Sequence, residues 1–290
     1  MPGSSIATLA DGRLYALHNA YALDGRVSSY PAAARGWAAS NCYLLRQDDG
    51  ALLLDTGFAA HEHAILGQLA TLIDRRLPLA IMPLRINEFM SVGNAMPIAA
   101  RFNVVECFSN VTDVELWLDF DSDTYDETRK PAPFRTTILS GHKRLPVGGG
   151  EARLVDVYLA PVRLIGTQWT YDAATRTLFT SDTFAWVWRD APDGPWAVGD
   201  NDDTTTPEQV RNFLFNTRYW WLEGALTDQM RRDLARVFET HEIETIAPGY
   251  GSILKGRKVV ERHYTMLDEA LRDWDRSRTA PHYIGRGEQR

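Results

Sequence analysis

The segment that most restricts the fold runs Asn41-Cys42-Tyr43-Leu44-Leu45-Arg46-Gln47-Asp48-Asp49-Gly50-Ala51-Leu52-Leu53-Leu54-Asp55-Thr56-Gly57. Two apolar runs flank a polar turn, and the second ends at Asp-Thr-Gly. Short apolar runs bounded by turn residues read as paired strands. Around this hairpin the same patterning predicts strands at Leu14–Asn19, Ser40–Arg46, Ala51–Asp55, Leu79–Pro83, Val104–Phe108, Arg135–Ile138, Glu151–Leu159, Thr167–Tyr171, Arg176–Ser181 and Thr245–Pro248.

Helices are expected between them. In His61–Asp74, Ile65, Leu66, Leu69, Leu72 and Ile73 form one apolar face. Ala95–Phe102 predicts a short helix. Pro207–Tyr219 follows Thr205-Thr206, a favourable helix start. Thr227–Thr240 and Val259–Arg276 complete the set. Strands and helices in this order predict a layered α/β architecture. Gly148-Gly149-Gly150 reads as a turn between strands. The acidic stretch Asp113–Glu127, which carries Trp117, Phe120 and Tyr125, reads as a solvated edge, with a lid as the alternative.

Composition bounds the function. At 290 residues, 44% hydrophobic and 24% charged, with no linker in view, the chain is expected to form a single domain over 1–290, with a polar tail from about 277. A net charge of −7 argues against a general nucleic-acid binder. Cys42 and Cys107 lie in apolar runs and read as buried free thiols. The N-terminus does not read as a signal peptide, and no apolar run reaches the ~20 residues of a membrane span. A cytoplasmic protein without membrane association is expected.

Four segments between residues 41 and 256 carry a resemblance. They are the hairpin ending in Asp55-Thr56-Gly57, then Glu88–Asn94, then Pro161-Val162-Arg163 through Asp182-Thr183-Phe184, then Pro248-Gly249-Tyr250-Gly251. In that order they resemble the metallo-β-lactamase superfamily, and within it the flavodiiron branch with its stand-alone diiron relatives. The resemblance implies a four-layer αββα sandwich. It also implies a histidine-rich metal centre, and there this sequence departs from the pattern. With the second motif anchored on Gly93, the family's histidines fall on Ile86 and Ser91 and its aspartate on Met90. In the later motifs the histidines fall on Arg163 and Tyr250. Only Glu88 and Asp182 keep a family ligand.

Two carboxylates do not replace such a ligand set. Arginine at a ligand position also repels a cation, by ~4 kcal/mol for unit charges ~4 Å apart at an effective dielectric near 20. None of the seven histidines stands at a ligand position, and His61-Glu62-His63 reads as surface because residues two apart on a helix diverge. No metal and no cofactor are expected.

The lost metal would have supplied positive charge and a polarised water. Arg163 is the candidate replacement, as a planar clamp for an anionic group, or as an ion-pair partner of Glu88 or Asp182. Glu88 is the candidate base, because nothing local assigns it another partner. Asp182 and Tyr250 complete the catalytic set, with Tyr250 as a hydrogen-bond donor or a filler of the metal volume. Arg85, Asn87, Ser91, Trp169 and Trp186 are the candidate substrate-binding residues. The tryptophans suit a flat, aromatic ligand, although Trp186 and Trp188, alternating with Ala185 and Val187, also fit the core face of a strand. No G-x-G-x-x-G, P-loop or G-x-S-x-G motif occurs.

The leading expectation is a metal-independent, hydrolase-like enzyme acting on a small anionic or aromatic molecule. A non-catalytic ligand- or partner-binding protein is the second reading. The third is a metal-dependent hydrolase or diiron-type oxidoreductase with ligands from other positions. A homodimer is left open.

Overall fold

The computed structural model describes residues 3–118 and 132–280. Along the chain come β1 (Ser4–Ala10), β2 (Leu14–Ala22), β3 (Trp37–Gln47), β4 (Gly50–Leu54), α1 (Glu62–Leu72), β5 (Leu79–Met82), α2 (Phe89–Val92), α3 (Ala95–Ala99), β6 (Val104–Ser109), α4 (Val114–Leu118) and β7 (Arg135–Ile138). Then follow β8 (Lys143–Pro146), β9 (Leu154–Leu159), β10 (Gln168–Asp172), β11 (Thr177–Ser181), β12 (Ala197–Val198), α5 (Pro207–Phe215), α6 (Asp228–Thr240), β13 (Thr245–Pro248), β14 (Ile253–Lys255) and α7 (Arg257–Trp274). They build two mixed seven-stranded sheets with flanking helices, ordered β1-β2-β3-β4-β5-β6-β7 and β12-β14-β13-β11-β10-β9-β8. This is the α/β sandwich class that the sequence predicts.

The chain forms two compact units. One comprises Met1–Asn19, Ser40–Leu159 and Gly166–Thr175; the other comprises Ala20–Ala39, Ala160–Ile165 and Arg176–Arg290. In the first unit, β4 pairs antiparallel with β3 and parallel with β5, and all five of its residues are buried. Burial on both faces explains its unbroken Ala-Leu-Leu-Leu run. Leu44, Leu53, Ile65, Leu69, Ile81 and Ile98 belong to the core of this unit.

In the second unit, β13 pairs parallel with β11 and antiparallel with β14. Helix α5 starts where the sequence places it. Thr206 caps it, with its side chain accepting from Gln209 N and the Gln209 side chain accepting from Thr206 N. This reciprocal box satisfies two donors that the first turn would otherwise leave bare.

The departures from expectation have physical reasons. β1 is half exposed and alternates weakly, β8 is charged and ends in proline, and β12 and β14 have only two and three residues. Such edge or short strands carry little apolar periodicity. Helix α2 has four residues and α4 five, too few for a helical period to show. Trp186 and Trp188 lie on an irregular segment and not on a strand. Most of the acidic stretch Asp113–Glu127, and the tail beyond 280, fall outside the described residues. Among the described residues, no helix is long and apolar enough to cross a membrane.

His18 in β2 gives the first unit a pH dependence. Its Nδ1 lies 2.7 Å from Asn41 Oδ1, and burial lowers its pKa to about 4 despite that hydrogen bond. The unfolded chain, with a histidine pKa near ~6.5, therefore binds the proton more readily than the folded one. Stability from this group is fully present above ~pH 6.5 and is lost as pH falls from there toward ~4, by up to ~3 kcal/mol. Urea midpoints measured across that window should decline in the wild type and decline less in His18→Gln. Parallel curves would show that His18 is not responsible.

Candidate functional site

The loop after β5 is fixed by the turn that ends β4. Asp55 sits at φ 60°, in the left-handed region, and its Oδ1 accepts from Leu84 N at 2.8 Å. Thr56 donates through N and Oγ1 to Ser91 O, and Gly57 N donates to Met90 O. Asn94 Nδ2 donates to the carbonyls of Thr56, Gly57 and Phe58. Gly57 has φ +78°, and a Cβ there would stand 2.3 Å from Ile65 Cδ1, so only glycine fits. The Asp-Thr-Gly motif is therefore the clamp that shapes residues 84–94.

On that loop Arg85 and Glu88 form an ion pair at 3.2 Å, with their side chains 8% and 12% exposed. Glu88 N donates to Arg85 O, closing a turn, and Ser91 N donates to Glu88 O; Glu88, in extended conformation, precedes α2, on which Ser91 lies. Glu88 thus has a local partner that the sequence reading did not assign, although an i,i+3 spacing was available to suggest it. Ser91 is fully buried, and its Oγ has no hydrogen-bond partner among the described residues. Ile86 and Met90 are buried in apolar packing, Asn87 is exposed, and Trp169 on β10 is fully buried.

The remaining candidates belong to the second unit. Arg163 is exposed, and its Nη1 donates to Ala160 O at 2.8 Å. The side chain thus folds back on its own loop. Asp182 is 4% exposed and sits in the turn after β11. That turn is held by Thr180 Oγ1 donating to Thr183 O, Thr183 Oγ1 donating to Val162 O, and Gly249 N donating to Ser181 O.

Tyr250 is fully buried, with its ring edge-on to Tyr21 at 6.4 Å and to Tyr30 at 6.5 Å. Gly251 beside it has φ +73°, and a Cβ there would meet Val187 O at 2.5 Å. Trp186 is buried, and its Nε1 donates to His263 Nδ1 at 2.9 Å. His263 Nε2 lies 2.8 Å from Asp203 Oδ2. Burial pushes the Asp203 carboxyl up, but hydrogen bonds from His263, Thr205 and Arg262 outweigh it and hold the group well below the usual range. Sequence reasoning missed His263 and Asp203, which lie 77 and 17 positions from Trp186 and share no motif with it.

Among the described residues, no group of three or more His, Cys, Asp or Glu side chains is placed to hold an ion. The cysteines offer no thiolate. Burial, reinforced by Asp55, raises the Cys42 thiol well above its usual range, and burial with Glu106 pushes Cys107 up to about 12.

Comparison with solved structures gives the fold a family context. A rubredoxin oxygen:oxidoreductase from the anaerobe Desulfovibrio gigas aligns with a TM-score of 0.67 at 16% identity, over 93% of this chain and 62% of that one. The fold is that of the flavodiiron core. A flavodiiron protein from Giardia intestinalis aligns at 0.64 and 16% identity, over 92% of this chain and 59% of that one. A fragment of a putative diflavin flavoprotein from Nostoc aligns at 0.67 and 14% identity, over 93% of this chain and 96% of that one. The chain thus spans about three fifths of the first two flavodiiron proteins. No protein-family model and no curated protein matches the sequence. One of these neighbours is named an oxidoreductase, whereas the leading expectation from the sequence was hydrolase-like.

Proposed function

We propose that this chain is a metal-free, ligand-binding member of the flavodiiron fold, and that its ligand is a small anionic or aromatic molecule. The ion pair between Arg85 and Glu88 carries the reading. The one carboxylate kept on the former metal loop is already neutralised by a guanidinium, and a divalent ion would have to displace that pair and then face the arginine. The buried Ser91 Oγ, on α2 three residues after Glu88, offers a hydroxyl to a polar ligand.

A catalytic version assigns proton transfer to Glu88 and keeps Arg163, Asp182 and Tyr250 as further candidate catalytic residues, and Asn87, Trp169 and Trp186 as candidate substrate-binding residues. It requires Glu88 to leave Arg85 and Arg163 to leave Ala160.

The test is the thermal midpoint of the protein with benzoate and with inorganic phosphate. A midpoint that rises with probe concentration, and that no longer rises in Arg85→Met or Ser91→Ala, is the expected result. No rise with either probe removes the reading.

The likeness to flavodiiron oxidoreductases favours a second reading, a diiron-type oxidoreductase with ligands from other positions. It predicts bound iron and iron-dependent oxygen consumption in the purified protein.

A further inference from the structure

We propose that the cleft between α6 and α7 binds an aliphatic polyamine, with Glu239 of one helix and Glu261 of the other as its anchors and the rings of Phe238 and Tyr264 against its carbon chain. The cleft is formed by the C-terminal part of α6, the turn 241–243 and the N-terminal part of α7, all within the second unit, and it does not depend on the Arg85 loop. Its volume of about 640 Å³ falls in the ~300–1,000 Å³ range of small-molecule sites. Phe238 and Tyr264 are half-buried, with ring centroids 4.5 Å apart and planes tilted by 31°. With Val260 they give the lining an apolar stretch. An aliphatic chain packs on such a surface, and the ring faces attract a cation beside it.

Charge selects the sign of the ligand. Glu239, Glu242 and Glu261 line the cleft together with the basic residues Arg257 and His241. Arg257 already donates to Glu242 at 2.8 Å, and Arg176 reaches the same carboxylate at 3.4 Å. Glu239 and Glu261 are exposed and form no ion pair among the described residues. Helix α6 ends at the cleft with no basic side chain in its last turn, so the negative end of its dipole adds to the attraction for a cation. The positive end of α7 is already engaged, because Val259 N donates to Asp200 Oδ1 at 2.9 Å. The negative field reaches the rings: burial, then Asp268 and Glu239, raise the Tyr264 hydroxyl above its usual range, against the opposing effect of Arg231. Among the described residues, no three carboxylate, histidine or cysteine side chains converge on one point. Carboxylates on two separate helices match charges spaced along a chain, whereas a compact metal ion needs its ligands gathered around it.

The test is isothermal titration calorimetry of the full chain with spermidine at low ionic strength. The wild type should show one saturable site. Glu239→Gln and Glu261→Gln, both at exposed positions that leave folding intact, should each weaken it about threefold to fivefold, and the double variant by about tenfold or more. Tyr264→Leu, which keeps an apolar side chain but removes the ring face, should also weaken it. Glu151→Gln, an exposed carboxylate of the first unit, should leave it unchanged. Magnesium at matched ionic strength should not displace the spermidine. The absence of a saturable site overturns the proposal. So does equal affinity in the double variant and the wild type, or displacement by magnesium at matched ionic strength, either of which would reduce the binding to general attraction by a chain of net charge −7.

Discussion

Arg153→Met is expected to destabilise the first unit by about 3–5 kcal/mol. Arg153 and Asp172 are both buried, and the guanidinium meets the carboxylate through Nε at 3.2 Å and also through Nη2. Nη1 donates as well to the carbonyls of Arg13 at 3.0 Å and Arg46 at 3.2 Å. One side chain therefore joins the end of β10 to the start of β2 and the end of β3. Methionine fills much of the volume but leaves two carbonyls and a buried carboxylate without their cation. Asp172 would keep only Ala174 N and Thr175 Oγ1 as donors. The double variant Arg153→Met with Asp172→Leu should lose less than Arg153→Met alone, because the stranded charge is gone. Urea unfolding of the single and double variants measures this. A single variant within ~1 kcal/mol of wild type would show that the pair contributes little.

Tyr250→Ala is expected to cost a similar amount, about 3–5 kcal/mol, the range for truncating a large aromatic in a core. The ring is fully buried against the edges of Tyr21 and Tyr30. Tyr30 in turn donates to Ala185 O at 2.9 Å and packs edge-on against Trp188 and Phe213. Tyr250→Phe keeps the ring and should lose much less. On the proposed metal-free reading, Tyr250→His, which introduces the histidine that the resemblance implies, should not confer metal binding, because Ile86, Met90, Ser91 and Arg163 are not histidine or carboxylate ligands. Loss of only a few tenths of a kcal/mol in Tyr250→Ala would mean that the ring does not serve as packing. Iron uptake by Tyr250→His would mean that the other ligands were already in place.

Local features were the most legible in the sequence. The hairpin from 41 to 57, the helix start at Thr205-Thr206 and the apolar face of α1 each write their structure within a few residues. The edge strands β1 and β8 were not legible, because exposed strands need not alternate. The expectation that Ile86 stands where the flavodiiron branch has a histidine came only from the resemblance, since spacing alone does not say it. The partner of Glu88 was less legible. Arg163 drew attention by its position, yet the cation paired with Glu88 is Arg85, three residues away on the same turn. Trp186 read as a strand or pocket residue, but its direction is set by His263, far away in sequence. Side-chain partners brought together by tertiary structure leave no local pattern to read.

Elemental analysis addresses the central claim most directly. Protein purified without chelators from cells supplied with iron, zinc and manganese should carry far less than one equivalent of any of them. Stoichiometric iron or zinc that disappears in Glu88→Ala and Asp182→Ala would contradict the account.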